Sequence, residues 1–154
     1  DRSKRRLDLL KDNLKRTGLK ASPVRADALE WEPKHRFDAI LIDAPCTATG
    51  TCRRHPDVLH RIGKGQIGDM VELQRALAAK AAEWLNPGGV LVYAVCSLLA
   101  CEGAAQAADF LERNGGFKAE RPSFDAGRVD GAGLLLSPAH DGSDGFYMVC
   151  LRRL

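Results

Sequence analysis

Apolar residues recur at helical spacing near the start of the chain. Leu7, Leu10 and Leu14 lie three and four positions apart, and charged residues fill most of the positions between them. Such a pattern is typical of an amphipathic helix that buries one face. Ser3 is a residue type that caps helix starts, and Gly18 is a residue type that favours helix ends. The pattern therefore predicts a first helix between these two residues.

Three later stretches are also predicted to be helical. The longest has apolar residues at steps of three and four from Met70 to Trp84, and "NPGG" follows it at 86–89. Pro and Gly in this order favour a turn that stops a helix. The other two predicted helices are a short one at Val58–Ile62 and a longer one at Glu102–Asn114.

Five short stretches between these helices are predicted to be strands. They are Pro23–Ala26, Phe37–Ile42, Val90–Val95, Gly116–Ala119 and Phe146–Leu151, and a Gly-rich loop is expected at 131–145. The second and third stretches are apolar on both faces, which is typical of strands that helices cover in a parallel sheet. The alternation of strands and helices predicts an α/β protein with a doubly wound sheet.

Polar residues stand at the ends of three predicted strands. Asp27, Asp43 and Cys96 lie at these ends or just past them, and Cys46 follows Asp43 closely. Parallel strands bring their carboxyl ends to one edge of the sheet, where α/β proteins bind their ligands. We therefore expect the two thiols to meet near Asp43.

Basic residues follow the first thiol in the loop at 44–66. A thiol attacks electrophiles as its thiolate, and nearby cations lower its pKa. Arg53, Arg54 and His55 are expected to supply that positive field if the loop folds back. The arginines, together with Arg61 and Lys64, are also expected to contact nucleic-acid phosphates, with His55 as a structural residue or a further phosphate donor.

Composition narrows the class of protein. A chain of 154 residues suits one globular domain, and its net charge of +3 is compatible with an anionic partner. The five cysteines include no CxxC pair, so neither a disulfide framework nor a metal site is expected. No apolar run approaches the roughly 20 residues that cross a bilayer, and no secretion signal opens the chain. We therefore expect a cytoplasmic protein with no membrane partner.

Two thiols and a carboxylate suit one particular reaction. Carbon 5 of a pyrimidine is a poor nucleophile, but addition of a thiolate to carbon 6 turns it into an enamine-like carbon that can accept a methyl group. An acid near ring nitrogen 3 would stabilise the charge that develops there. The proton on carbon 5 must then leave so that the thiol can be expelled.

The sequence around these residues resembles the Sun/Fmu-type family of RNA 5-methylcytosine methyltransferases. The family pattern "DAPCSATGxxRRHPD" is similar to "DAPCTATGTCRRHPD" at 43–57, and the pattern "LVYATCSxxxxEN" is similar to "VLVYAVCSLLACEG" at 90–103. The first helix and "DGFYMVCLRR" at 144–153 extend the resemblance over nearly the whole chain. Val95 stands where the family usually has threonine.

The resemblance implies a Rossmann-like, S-adenosyl-L-methionine-dependent methyltransferase fold that acts on small-subunit ribosomal RNA. It implies that Cys96 is the nucleophile, that Cys46 helps to release the product, and that Asp43 contacts the base and lies near the cofactor. It further implies that Asp1 holds the ribose hydroxyls of the cofactor and that Asp27 lies beside its adenine. These roles come from the family and not from the spacing of the residues.

The chain opens on Asp1 and directly on a helical pattern, so we interpret it as a single catalytic domain (1–154) truncated before its first strand. The family's Gly-rich cofactor loop, "AAPGGKT", has no counterpart in the chain, and an N-terminal RNA-binding domain would also lie outside it. We accordingly expect the fragment by itself to be inactive and to bind S-adenosyl-L-methionine poorly.

Two other functions remain open from the sequence. One is an RNA-binding module without activity, and the other is a DNA cytosine-5 methyltransferase in which Cys46 is the nucleophile. A second thiol in the "CS" motif at Cys96 favours RNA over DNA. A methyltransferase that acts on amino groups is disfavoured, because such enzymes carry an aromatic residue where this chain has Cys46.

Overall fold

The structure is a computed structural model that describes residues 1–121 and 125–154, in two compact units, Asp1–Lys34 and His35–Leu154. Every helix in these described ranges is too short or too polar to span a lipid bilayer.

The first unit contains the predicted helix, α1 (Lys4–Thr17). Its start is capped by the Ser3 hydroxyl, which accepts a hydrogen bond from the backbone N–H of Arg6 at 3.3 Å. Its end is formed by Gly18, whose φ of 68° lies in the left-handed region that favours glycine. The prediction for this helix is confirmed at both ends.

The prediction of a strand at Pro23–Ala26 is wrong. These residues form no strand in the structure, and the backbone N–H of Ala26 instead donates to the carbonyl of Asp1 at 3.3 Å. Pro23 has no N–H to offer to a neighbouring strand, so a short segment centred on it contributes few ladder hydrogen bonds. Asp27 therefore does not stand at a strand end.

The described residues of the second unit form six strands in one mixed sheet, in the order β1-β2-β6-β5-β4, with β3 also paired to β6. Among these six strands, β1 and β2 pair in parallel and the other pairs are antiparallel. The strands are β1 (Phe37–Asp43), β2 (Leu85–Val95), β3 (Phe117–Glu120), β4 (Arg128–Asp130), β5 (Gly133–Leu136) and β6 (Phe146–Arg153).

In the parts of this unit that the structure describes, four α-helices and one 3-10 helix connect the strands. All of the helices predicted for this unit are present, although the long one begins before Met70. The helices of this unit are the 3-10 helix Thr49–Arg53 and the α-helices α2 (Val58–Arg61), α3 (Lys64–Trp84), α4 (Ala104–Arg113) and α5 (Pro138–Asp141). The 3-10 helix and α5 were not predicted from the sequence.

Three sequence-based expectations for the sheet need correction. "NPGG" at 86–89 lies within β2 instead of forming a turn before it. The expected Gly-rich loop contains β5 and α5, which are too short to produce a periodic signal. The strand β1 is not buried on both faces, because the side chain of Leu41 is 69% exposed. The strand β1 lies at one end of the strand order given above, so one of its edges has no neighbouring strand in the described residues.

The hydrophobic core lies along β2 and β6. Leu85, Leu91, Val95, Val149 and Leu151 each have 0–1% of their surface exposed. Burial of such side chains contributes about 1.5–3 kcal/mol each, so these two strands supply much of the hydrophobic stabilisation of the unit. In the parallel ladder, Asp43 pairs with Ala94, so the loops that leave β1 and β2 start side by side.

Candidate active site

The structure brings the two predicted thiols together. Ala44 donates its backbone N–H to the carbonyl of Ala94 at 2.9 Å, which continues the β1–β2 pairing past Asp43. Just beyond this point, the sulfurs of Cys46 and Cys96 lie 3.5 Å apart. Both cysteines are free and partly buried, and the Asp43 side chain at the strand end is exposed. The arrangement offers two adjacent thiols to a molecule that also reaches a carboxylate.

A buried carboxylate holds the loops that carry the thiols. Glu102 has no exposed surface, and its two oxygens accept four hydrogen bonds. The donors are the N–H of Thr47 (2.9 Å), the hydroxyl of Thr47 (2.5 Å), the amide of Gln74 (3.0 Å) and the hydroxyl of Ser97 (2.5 Å). Thr47 follows Cys46 and Ser97 follows Cys96, so one side chain is bonded to both loops.

Sequence reasoning assigned no role to Glu102, although it stands in the family motif. Acidic residues are almost never fully buried unless they are paired. Its position close behind "CS" was the available signal, but its burial could not be read from a stretch as short as "LLACEG".

A second set of hydrogen bonds joins the 3-10 helix to the loop after β2. The hydroxyls of Thr49 and Ser97 lie 2.9 Å apart, and they accept the backbone N–H groups of Leu98 and Leu99 respectively. The N–H of Gly50 donates to the carbonyl of Cys96 at 3.0 Å. These bonds fix the backbone of Cys96 from the side of the β1 loop.

The backbone of the first loop is strained at one residue. Ala48 has a φ of 57° and is the only non-glycine residue with a positive φ in the described ranges. A left-handed conformation costs a residue with a side chain about 1–2 kcal/mol. The N–H of the same residue hydrogen-bonds the sulfur of Cys46.

The pKa of Cys46 is raised to about 12, chiefly because burial penalises the thiolate. The hydrogen bond from Ala48 lowers it, while Cys96 and the carboxylate of Glu102 raise it further. The pKa of Cys46 is therefore raised on balance, whereas the sequence led us to expect that Arg53, Arg54 and His55 would lower it. Burial of the Tyr93 side chain likewise raises the pKa of Tyr93. Its hydroxyl donates to the carbonyl of Glu102 at 2.7 Å.

Arg53 and Arg54 point toward a carboxylate on another loop. Both lie within ion-pair distance of Asp144, at 3.4 and 2.6 Å. The hydrogen bond from Arg54 is the main reason that the pKa of Asp144 is lowered. Their charge is thus partly balanced by Asp144.

The other predicted phosphate contacts are also on the surface. Arg61 pairs with Asp57 at 2.6 Å, His55 donates its backbone N–H to the carbonyl of Thr51, and Lys64 begins α3. All of these side chains are exposed. Exposed ion pairs contribute only about 0–1 kcal/mol, so a phosphate can compete for such arginines.

Asp1 and Asp27 belong to the first unit, where each binds an arginine. Asp1 pairs with Arg6 at 2.9 Å and accepts the backbone N–H of Ser3 at 2.7 Å. Asp27 pairs with Arg2 at 3.2 Å. The hydrogen bond from Ala26 to Asp1 places the segments that carry these two acids next to each other.

The chain matches the family model described as "16S rRNA methyltransferase RsmB/F" over residues 1–152. It is 39% identical over 146 residues to ribosomal RNA small subunit methyltransferase B of Shewanella oneidensis, covering 93% of this chain and 34% of that protein. It is 38% identical over 150 residues to the protein of the same name in Enterobacter sp., covering 96% and 34%. The chain thus spans about a third of the length of these curated relatives.

Solved structures show the same similarity. NSun6 from Pyrococcus horikoshii, solved with SFG, superposes with a TM-score of 0.90 at 31% identity, covering 99% of this chain and 40% of that one. A methyltransferase homolog protein from Pyrococcus horikoshii gives 0.83 at 28% identity, covering 100% and 52%. The chain belongs to the RsmB/F family of 16S rRNA methyltransferases, and it has the Rossmann-like α/β fold of S-adenosylmethionine-dependent methyltransferases.

Proposed function

We propose that the protein carrying this chain transfers a methyl group from S-adenosylmethionine to carbon 5 of a cytosine in small-subunit ribosomal RNA. The reaction would proceed through a covalent bond between a cysteine of this chain and the base. The observation that carries the proposal is the 3.5 Å separation of the Cys46 and Cys96 sulfurs beside the carboxyl ends of two parallel strands. The family membership gives the substrate class.

In the proposed addition step, the thiolate of Cys96 attacks carbon 6 of cytosine. A carbon–sulfur bond forms, and the electron pair of the 5,6 double bond becomes available at carbon 5. S-adenosylmethionine, when bound, supplies the methyl group that carbon 5 takes up. Asp43 is exposed at the adjacent strand end, where its side chain would hold the pyrimidine edge near nitrogen 3.

In the proposed release step, the proton of carbon 5 leaves, the double bond forms again and the sulfur of Cys96 is expelled. Cys46 would accept that proton. Its raised pKa means that it keeps its own proton in the resting protein, which favours Cys96 as the attacking thiol. Once Cys96 is bonded to carbon, two influences that raise the pKa of Cys46 disappear: the charge of Cys96 and its hydrogen bond. The pKa of Cys46 should then fall, although burial still raises it, so that Cys46 loses its own proton to water and its thiolate accepts the proton of carbon 5.

Two acids of the first unit, Asp1 and Asp27, are proposed to contact the cofactor. Ribose hydroxyls and an adenine amino group donate hydrogen bonds, and carboxylates such as those of Asp1 and Asp27 accept them. The arginines that now pair with these acids are largely exposed, with 67% and 78% of their side-chain surface accessible. Such pairs are weak, so the acids are available to a ligand. The two residues therefore fit the cofactor that the family uses.

RNA would be held by the exposed basic residues of the loop after β1 and the start of α3, which contact phosphates rather than bases. This set comprises Arg53, Arg54, His55, Arg61 and Lys64. Asp144 would limit the attraction, because an RNA phosphate must compete with it for Arg53 and Arg54.

The test is methyl transfer by the complete gene product. Small-subunit ribosomal RNA is incubated with S-adenosylmethionine that carries a labelled methyl group, and the nucleosides are analysed by mass spectrometry after digestion. The proposal predicts labelled 5-methylcytosine with the wild-type protein and none with Cys96→Ala. RNA binding without any methyl transfer would instead support the non-catalytic module. Transfer to DNA and not to RNA would support a DNA cytosine-5 methyltransferase.

A further inference from the structure

We propose that Glu102 is a positioning residue for the thiol pair, and this inference rests on the proposed function. Glu102 lies at the end of the segment that follows Cys96, yet it hydrogen-bonds the residue after each cysteine, Thr47 and Ser97. No other side chain in the described ranges bonds to both of these neighbours. The relative placement of the two sulfurs therefore depends on this carboxylate.

The loop that carries Cys46 is held on both sides of the thiol. Gln74, from α3, donates its amide to the carbonyl of Pro45 at 2.8 Å and to Glu102 at 3.0 Å. Glu102 in turn accepts the N–H of Thr47. Pro45 and Thr47 are the residues before and after Cys46, so a Gln74–Glu102 pair that is itself fully buried fixes both of its neighbours.

The loop that carries Cys96 is held by the same carboxylate through Ser97. The Ser97 hydroxyl donates to Glu102, and its oxygen accepts the N–H of Leu99 and lies 2.9 Å from the hydroxyl of Thr49. A rotation of the Ser97 side chain would break three contacts at once. The hydroxyl therefore transmits the position of Glu102 to the backbone next to Cys96.

The geometry requires a carboxylate and not an amide. All four partners of Glu102 are donors: a backbone N–H, a side-chain amide and two hydroxyls. Glutamine in either orientation would place its NH2 group against two of them. If it faced Thr47 N–H and Gln74, donors would oppose donors. If it faced the hydroxyls, Ser97 would have to donate to Thr49 instead, and the hydroxyl protons of Thr47 and Thr49 would lose their acceptors.

The rate at which Cys46 and Cys96 form a disulfide reports directly on the relative position of their two sulfurs. Diamide oxidises the two thiols to a disulfide and is itself reduced to the hydrazine, taking up the two electrons and two protons that the thiols lose. Misplacement of reacting groups by about 1 Å can cost about a hundredfold in rate. In the complete gene product, we expect Glu102→Gln to slow this disulfide formation at least about tenfold, as followed by mass spectrometry of the linked peptides.

Steady-state kinetics provide the second readout. Glu102→Gln should lower kcat for methyl transfer by a similar factor and leave KM for RNA unchanged, because none of the exposed phosphate-contact residues bonds to Glu102. Ser97→Ala, which removes one of the four donors, should give a smaller effect of the same sign on both readouts. It serves in place of Glu102→Gln if that variant does not fold.

Phe110→Leu is the matched control for a general loss of stability. Phe110 is buried on α4 and packs edge-on against Phe117 at 5.1 Å, so its truncation loosens the core without removing a hydrogen bond of either thiol loop. We expect Phe110→Leu to form the disulfide and to turn over at wild-type rates at temperatures where it is folded.

The proposal is overturned if folded Glu102→Gln forms the disulfide at the wild-type rate, or if Phe110→Leu slows it as much. Failure of the proposed function would look different. If Cys96→Ala still methylated RNA, the catalytic roles would be wrong, while the disulfide rates of wild type and Glu102→Gln would still test the placement of the sulfurs.

Discussion

Gly50 lies where the 3-10 helix touches both the backbone of Cys96 and the loop before β6. Its N–H donates to the carbonyl of Cys96 at 3.0 Å, and its carbonyl accepts the N–H of Gly145 at 2.7 Å. A Cβ at this position would overlap the carbonyl oxygen of Gly145 and lie 2.9 Å from the carbonyl oxygen of Cys96. All of these atoms are backbone, so no side chain can rotate away to make room for Gly50→Ala.

The expected loss follows from these contacts. Two hydrogen bonds contribute about 1 kcal/mol each, and overpacking of a tight site costs about 1–3 kcal/mol. The alanine regains roughly 0.4–1 kcal/mol because it restricts the unfolded chain. We therefore expect Gly50→Ala to reduce the free energy of unfolding of the second unit by roughly 2–4 kcal/mol.

Hydrogen exchange of the β2 and β6 amides in the complete gene product measures this free energy for the unit itself, even if other parts unfold separately. Gly68→Ala is the matched control, because Gly68 lies inside α3 with nothing within 4 Å of the added methyl group. That variant should be up to about 1 kcal/mol more stable than wild type, since alanine favours helix. A loss below about 1 kcal/mol in Gly50→Ala would refute the close contact that this reasoning assumes.

Three further perturbations test other parts of the site. Because the pKa of Cys46 is raised to about 12, iodoacetamide at about pH 8 should modify the exposed Cys101 well before Cys46, as mass spectrometry of the peptides would show; equal rates would contradict the raised pKa. Arg61→Ala should reduce the slope of log Kobs for RNA against log salt by about 0.7, which is the loss of one phosphate contact; an unchanged slope would remove Arg61 from the RNA-binding set. Because Arg54 lowers the pKa of Asp144, this acid stabilises the folded state above its ordinary pKa of about 3.9, and that contribution is lost as the pH falls through the lower folded value. Asp144→Asn should therefore flatten the acid side of the stability profile, and a profile identical to that of wild type would show that the pair contributes nothing.

The sequence was sufficient where a local pattern and a general rule agreed. Leu7, Leu10 and Leu14, with a capping serine and a terminal glycine, predicted both ends of α1. The meeting of Cys46 and Cys96 was predicted because each follows a strand and parallel strands end at one edge of a sheet. That argument needed only the direction of the strands and not the position of any side chain.

The sequence was insufficient where long-range packing decides. The segment at Pro23–Ala26 has the composition of a strand but forms no strand. The short strand β5 depends on pairing with β4 and β6 and has no periodicity of its own. Glu102 looks like an ordinary surface acid until the fold surrounds it with four donors. The raised pKa of Cys46 likewise depends on burial, which only the folded chain produces.

The central claim is that Cys96 forms the bond to the base and that Cys46 is needed to break it. The most direct measurement is a denaturing gel of each alanine variant of the complete gene product with small-subunit ribosomal RNA and S-adenosylmethionine, followed by mass spectrometry of the linked peptide. Addition and elimination are separate steps. Cys46→Ala is therefore predicted to accumulate a covalent complex linked through Cys96, and Cys96→Ala is predicted to form none. A complex that persists in Cys96→Ala and is absent in Cys46→Ala would contradict the account and make Cys46 the nucleophile.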